Sequence, residues 1–169
     1  MTEPARSPSL LKGSLALLIS ALYLVYKGGL FVTGLKSHPI FSLFPPWPLL
    51  LGLSVVMAID NLRDSASESF IYYFKKNARF SLLTALFTTL TVWIYYQWID
   101  VSAFQEMIEQ RMEAFKQQPR NIPAEEFEKN LHRIFNPFFY STMTLSGLGA
   151  FGLLMSAGIA ALKKFLKIR

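Results

Sequence analysis

The run Phe80–Asp100, FSLLTALFTTLTVWIYYQWID, holds no charged residue before its final Asp. As a helix, its first 20 residues rise about 30 Å at 1.5 Å each, which matches the hydrocarbon thickness of a bilayer. Ser81, Thr84, Thr88, Thr91 and Tyr95 follow at i, i+3, i+7, i+10 and i+14. At about 100° per residue they cover roughly a quarter of the helix circumference. Hydroxyls in hydrocarbon are best satisfied against another helix, so the stripe predicts a packing face. The sharper alternative is a polar path for a solute or a headgroup. Against ion-coupled transport, no Asp, Glu, Arg, Lys or His lies midway along any apolar run.

A helix with such a face needs partners, and the chain supplies three more apolar segments. They lie at about 10–31, 40–59 and 138–162. Lys12 and Lys27, near the ends of the first, can snorkel to headgroups. The rival reading of that segment, a signal peptide, is disfavoured because LYLVYKGGLF keeps bulky residues where cleavage needs small ones, so a retained first helix is expected. FPPWP, Phe44–Pro48, is tolerable as an irregular entry to the second span, and GGLFVTG, Gly28–Gly34, reads as a turn. On the fourth segment Gly149, Gly152, Ser156 and Ala160 share one face, a small-residue stripe that lets helices approach closely.

Composition agrees with a lipid environment: 52% of the 169 residues are hydrophobic and 17% charged. The net charge of +6 comes from basic residues at the ends of apolar runs, which favours anionic headgroups over nucleic acid as the counter-charge. The absence of cysteine removes disulfides, thiolate nucleophiles and Cys-ligated metal centres. With four spans, ten of the 17 basic residues fall on the side of the termini, so both termini are expected in the cytoplasm. Trp47, Trp93 and Trp98 all fall at the opposite interface, half of an aromatic belt.

Before the third span, SASESFIYYFKKNAR begins with a capping box, Ser65 with Glu68, and places Phe70, Phe74 and Ala78 on one face. Lys75, Lys76 and Arg79 surround that face, which predicts an interfacial helix whose cations, with Lys163 and Lys164, meet anionic lipid. After Asp100 the pattern becomes amphipathic. Ser102 and Gln105 suggest a second capping box, and Phe104, Ile108, Met112 and Phe115 recur on one helical face. Pro119 and Pro123 bracket a turn, Pro123 suits the first helical position, and Phe127, Leu131, Ile134 and Phe135 mark the face of a second helix ending before Pro137. A helical hairpin over 101–136 follows, whose apolar face must cover its own partner helix, the membrane surface or another protein.

Its carboxylates, Glu106, Glu109, Glu113, Glu125, Glu126 and Glu128, alternate with Lys116, Arg120, Lys129 and Arg133 as on a solvated face, and converge on no point. His38 and His132 lack a fixed carboxylate nearby and make a weak metal signal. No dinucleotide, Walker, nucleophile-elbow or HExxH motif and no internal repeat is present.

The stretch Met57–Asp100, MAIDNLRDSASESFIYYFKKNARFSLLTALFTTLTVWIYYQWID, followed by the hairpin and by FNP before a glycine-rich last span, resembles a known family. It is similar to the uncharacterised Bacteroidetes membrane family called domain of unknown function four-one-nine-nine. The similarity covers about 57–169, more loosely the first two spans. Its marks are Asn61, Arg63 and Asp64, Phe70 and Phe74, Tyr95, Tyr96, Ile99 and Asp100, and Pro137. The family usually has a glycine pair where this chain has Ser67 and Glu68, so a tight turn is not carried over there. The resemblance implies a four-helix inner-membrane protein without a known activity.

The expectation is an all-α membrane protein, one domain of four transmembrane helices, with the hairpin between the third and fourth on the periplasmic side of a bacterial inner membrane. It has no cofactor or metal, and it is not an enzyme. Its partners are the bilayer and other membrane proteins or a second copy, docking as an accessory or assembly subunit through Phe104, Ile108, Met112, Phe115, Phe127, Leu131 and Phe135 and through the last-span stripe. The alternatives are a small transporter or lipid-handling protein using Ser81 to Thr91, and, third, an enzyme on lipid-linked substrates using Asp60, Arg63 and Asp64.

Overall fold

A computed structural model describes residues 8–35, 52–53, 55–59, 69–117 and 122–167. Among them the regular structure is entirely helical. Helix α1 spans Pro8–Val32 and α2 spans Phe70–Ile94, continuing without a break into a π turn, Tyr95–Ile99. Helices α3, Ala103–Gln117, and α4, Ala124–Ile134, are short and polar, and α5, Pro137–Lys167, is the longest. Among the described residues, three stretches are long and apolar enough to cross a membrane: Ser14–Val32, Phe70–Ile99 and Pro137–Phe165. Residues 52–53 and 55–59 are helical too, but the rest of the expected second span lies outside the described residues. So do FPPWP, His38, the Ser65–Glu68 box and the Asp60 to Asp64 cluster.

The expected interfacial helix and third span are one rod. Ser69 caps it by accepting the Tyr72 amide at 3.3 Å, eleven residues before the apolar run. The helix persists there because Tyr73, Asn77 and Ala78 are already buried, with Lys163 of α5 5.9 Å from the Tyr73 ring centre. At 30 residues the rod is about 45 Å long, so its basic first turns extend past the hydrocarbon.

Contacts fix the directions of the helices. Ala16 packs with Phe80, Ser20 with Thr88, and Tyr23 with Val92 and Tyr95, so α1 and α2 run parallel. In contrast, Lys163 meets Tyr73, Ser156 meets Ser81, and Tyr140 meets Tyr96, so α5 is antiparallel to α2. Leu53 and Met57 join Ala16 and Phe80 in the central cluster.

At the centre α2 and α5 touch backbone to side chain. A Cβ added at Gly152 would lie 2.7 Å from the Ser81 Cβ, closer than any real contact. Ser81 and Ser156 share a hydrogen bond at 3.2 Å, the Met57 sulfur lies 3.4 Å from the Ser81 hydroxyl, and Ser20 and Thr88 share one at 3.1 Å. Two of the seam hydroxyls also bond back to their own helices: Thr84 donates to the Phe80 carbonyl at 2.9 Å, and Ser156 to that of Gly152 at 2.6 Å.

Hydroxyl pairs between membrane helices average only ~0.6 kcal/mol, whereas forcing extra carbons into a filled contact costs about 1–3 kcal/mol. Close packing therefore dominates this seam. Gly152→Val is expected to lower unfolding stability in bicelles by about 1–3 kcal/mol, and Ser156→Ala by under about 1 kcal/mol. Equal losses from the two would contradict the dominance of packing.

Candidate functional site

Where α2 leaves the apolar region, its last turn widens. The Asp100 amide donates to the Tyr95 carbonyl at 2.9 Å, closing a π turn, an irregularity found frequently at functional sites. Tyr95 and Tyr96, adjacent in sequence, are both buried, and the turn ends on Asp100, only 4% exposed. The Tyr95 hydroxyl donates to the Asp100 carboxylate at 3.2 Å. The Asp100 carbonyl accepts from the Ala103 amide at 3.2 Å and so starts α3.

Three further elements meet this end. From α3, Phe104 is buried, with its ring centre 4.8 Å from Tyr96 and 5.8 Å from Tyr140. From α5 comes Tyr140, edge-on to Tyr96 at 5.2 Å. Its position is set by Asn136, whose Oδ1 accepts the Phe139 amide at 2.9 Å and whose Nδ2 donates to the Arg133 carbonyl at 2.8 Å. Asn136 thereby ends α4 and caps α5. From α1 come buried Tyr23 and Leu30 and half-buried Lys27, whose Nζ stands 6.0 Å from the Tyr23 ring centre.

Together they line a cavity of about 320 Å³, bounded by Lys27, Leu30, Tyr95, Tyr96, Asp100, Ala103, Glu106, Met107, Gln110 and Tyr140. One cation, two carboxylates and three phenols share it. A cavity at the boundary of apolar helices with convergent polar groups is a binding arrangement. No cysteine, serine or histidine lines it, so it presents no nucleophile paired with an imidazole base.

The residues singled out from sequence fall in other places. Ser81, Thr84 and Thr88 are buried and Thr91 half-buried in the seams between helices, with Gly152, Ser156 and Ala160 buried opposite, and a Cβ added at Gly149 would lie 3.9 Å from the Leu82 side chain. Lys75, Arg79 and Lys164 are exposed, Lys76 is half-buried, and Lys163 is buried against Tyr73. Phe104, Ile108 and Leu131 are buried within the chain; Met112, Phe115, Phe127 and Phe135 are half-buried. Phe115 stacks on Phe127 with ring centres 4.4 Å apart, and Phe135 packs on the Tyr96 cluster. These side chains cover one another and the ends of the long helices, because an amphipathic face buries itself on the nearest apolar surface. What stays open is a groove of about 400 Å³ lined by Phe115, Phe127, Leu131, Ile134 and Phe135 beside Arg111.

Three local expectations are corrected. The run Gly28–Gly34, expected as a turn, is helical as far as Val32, and the chain turns only at Thr33 and Gly34, where Gly34 has φ 71°. The Ser102 hydroxyl donates to Glu106 at 2.8 Å instead of pairing reciprocally with Gln105, which bonds Glu109 at 3.1 Å. Glu106 sits four residues on, one turn away, and captures the hydroxyl as a stronger, charged acceptor. Pro123 stands one residue outside α4, with ψ at 138°, where its carbonyl accepts the Phe127 amide at 3.0 Å.

Sequence reasoning did not assemble the cavity. Lys27 reads alone as a snorkelling lysine and Asp100 as the end of a span. The usable signal was that both flank the same interface, with a tyrosine pair one turn before the Asp. Among the described residues no group of three His, Asp or Glu is placed to hold a metal ion.

No curated protein and no solved structure matches the chain. A family model matches residues 12–164, which include every residue lining the cavity. By that match the chain belongs to the family described as Protein of unknown function (DUF4199).

Proposed function

We propose that this is a four-span inner-membrane protein that binds the polar head of an amphiphile at the bilayer boundary, as a lipid-handling protein and not as an enzyme. The observation that carries the reading is the mixed-charge cavity of about 320 Å³ where three apolar helices end, roofed by α3. Buried charge at a membrane boundary is costly to maintain unless it serves a ligand or a partner charge.

Four spans are supported by the parallel course of α1 and α2. A chain that leaves α1 on one side and enters α2 on the other must recross between residues 33 and 69, and 40–59 is the apolar stretch available. Leu53 and Met57 packing on Ala16 and Phe80 fit that route. With ten of the 17 basic residues on the side of the termini, the termini are cytoplasmic, and α3, α4 and the cavity mouth are periplasmic, with α3 and α4 forming a hairpin.

A second reading, an accessory subunit docking another membrane protein, is favoured by the open apolar groove of about 400 Å³ between α3 and α4.

Because the chain lacks cysteine, single cysteines report topology directly. In intact spheroplasts a membrane-impermeant maleimide should label Lys129→Cys and spare Lys164→Cys; labelling of both or neither would remove the four-span route. Native mass spectrometry of protein released from membranes should show retained lipid, lost in the cavity-filling double variant Met107→Trp, Gln110→Trp and kept in Glu109→Trp, exposed and outside the lining. Lipid retained equally by all three would sink the binding reading. For the subunit reading, a photo-crosslinker at Ile134 should trap one reproducible protein; only self-adducts and lipid adducts would count against it.

A further inference from the structure

Resting on the binding reading above, we infer that the cavity selects a zwitterionic head, a primary ammonium and a phosphate joined by a short linker, as in an aminoethyl phosphate. The charges decide this. Lys27 faces the cavity from α1, Asp100 from the end of α2 and Glu106 from α3. A purely anionic head would meet Lys27 but also two carboxylates, and a purely cationic head would satisfy the carboxylates but be repelled by Lys27. A head with both charges pairs each with its opposite.

The ammonium end has the better-built pole. Asp100 is 4% exposed and held by the Tyr95 hydroxyl at 3.2 Å, and Tyr96 and Tyr140 line the same cavity. Aromatic rings beside carboxylates are the arrangement that recognises ammonium groups. The carboxylates add a preference for N–H donors, since a primary ammonium can hydrogen-bond to them and a trimethylated one cannot. Lys27, on the last turns of a membrane helix, is the phosphate pole, a flexible cation at headgroup depth.

The same chemistry could arrive as a lipid headgroup or as the free head, and the test separates them. Purified full-length protein is titrated in nanodiscs with phosphatidylethanolamine, phosphatidylcholine and phosphatidylglycerol, reading binding by native mass spectrometry, and in parallel with soluble O-phosphoethanolamine by calorimetry. Phosphatidylethanolamine is expected to bind roughly tenfold or more tighter than either other lipid, the effect of losing one charge-assisted contact. Binding of soluble O-phosphoethanolamine with comparable affinity would assign the site to the free head; its failure to bind would assign it to the lipid. Glu106→Gln, at the α3 wall of the cavity, should shift preference towards phosphatidylglycerol, and Lys27→Gln should weaken all three phosphate-bearing lipids and favour a cationic alkylamine. Opposite shifts from two variants are not produced by general misfolding. Equal affinity of the native protein for the three lipids, or unchanged preference in both variants, would overturn the inference while leaving lipid binding intact; no lipid bound at all would instead remove the reading on which it rests.

Discussion

The close approach of Gly152 to Ser81 governs the rest of the molecule. Because no side chain stands between α2 and α5 there, the two helices can share the serine pair Ser81 and Ser156, and the Met57 sulfur reaches both hydroxyls, at 3.4 and 3.9 Å. Lipid offers no hydrophobic gain for bringing helices together, so contact must come from fit. One residue without a side chain supplies that fit, and α1 then docks along the same rod through Ala16 and Ser20.

Depth matters as well as proximity. With α2 as the common axis, the lengths of α1 and α5 determine what lies level with Tyr95 to Asp100. Lys27 arrives from the end of one helix and Tyr140 from the first turns of another. Helix ends carry partial charges, negative at the carboxyl end and positive at the amino end. Here the carboxyl ends of α1 and α2 and the amino ends of α3 and α5 meet around one cavity, so the backbone offers both signs in the place where the side chains do.

Much of this architecture was legible in the residues. Uninterrupted apolar runs identified three of the long helices to within a turn or so, except that α2 begins ten residues early, because Tyr73 and Asn77 are packed by α5 and no local pattern records a distant partner. The Ser81 to Thr91 stripe and the Gly152 to Ala160 stripe were visible by spacing, since hydroxyls and small residues on one face have a single economical place in hydrocarbon. The cavity was not legible. It depends on a π turn, which has no sequence pattern of its own, and on α1 lying parallel to α2. The amphipathic spacing of α3 and α4 was visible in the residues, but amphipathicity gives no hint of whether the surface they cover belongs to the same chain.

The parallel course of α1 and α2 bears on biogenesis. Ser20 and Thr88 are 68 residues apart, and Ser81 and Ser156 are 75 apart. Helix α1 therefore has no mate on this rod until α2 has been made, and α2 in turn waits for α5 to cover its serine face. Until α5 is made, the Ser81 face of α2 lacks the Gly152 and Ser156 contacts that close it in the folded chain.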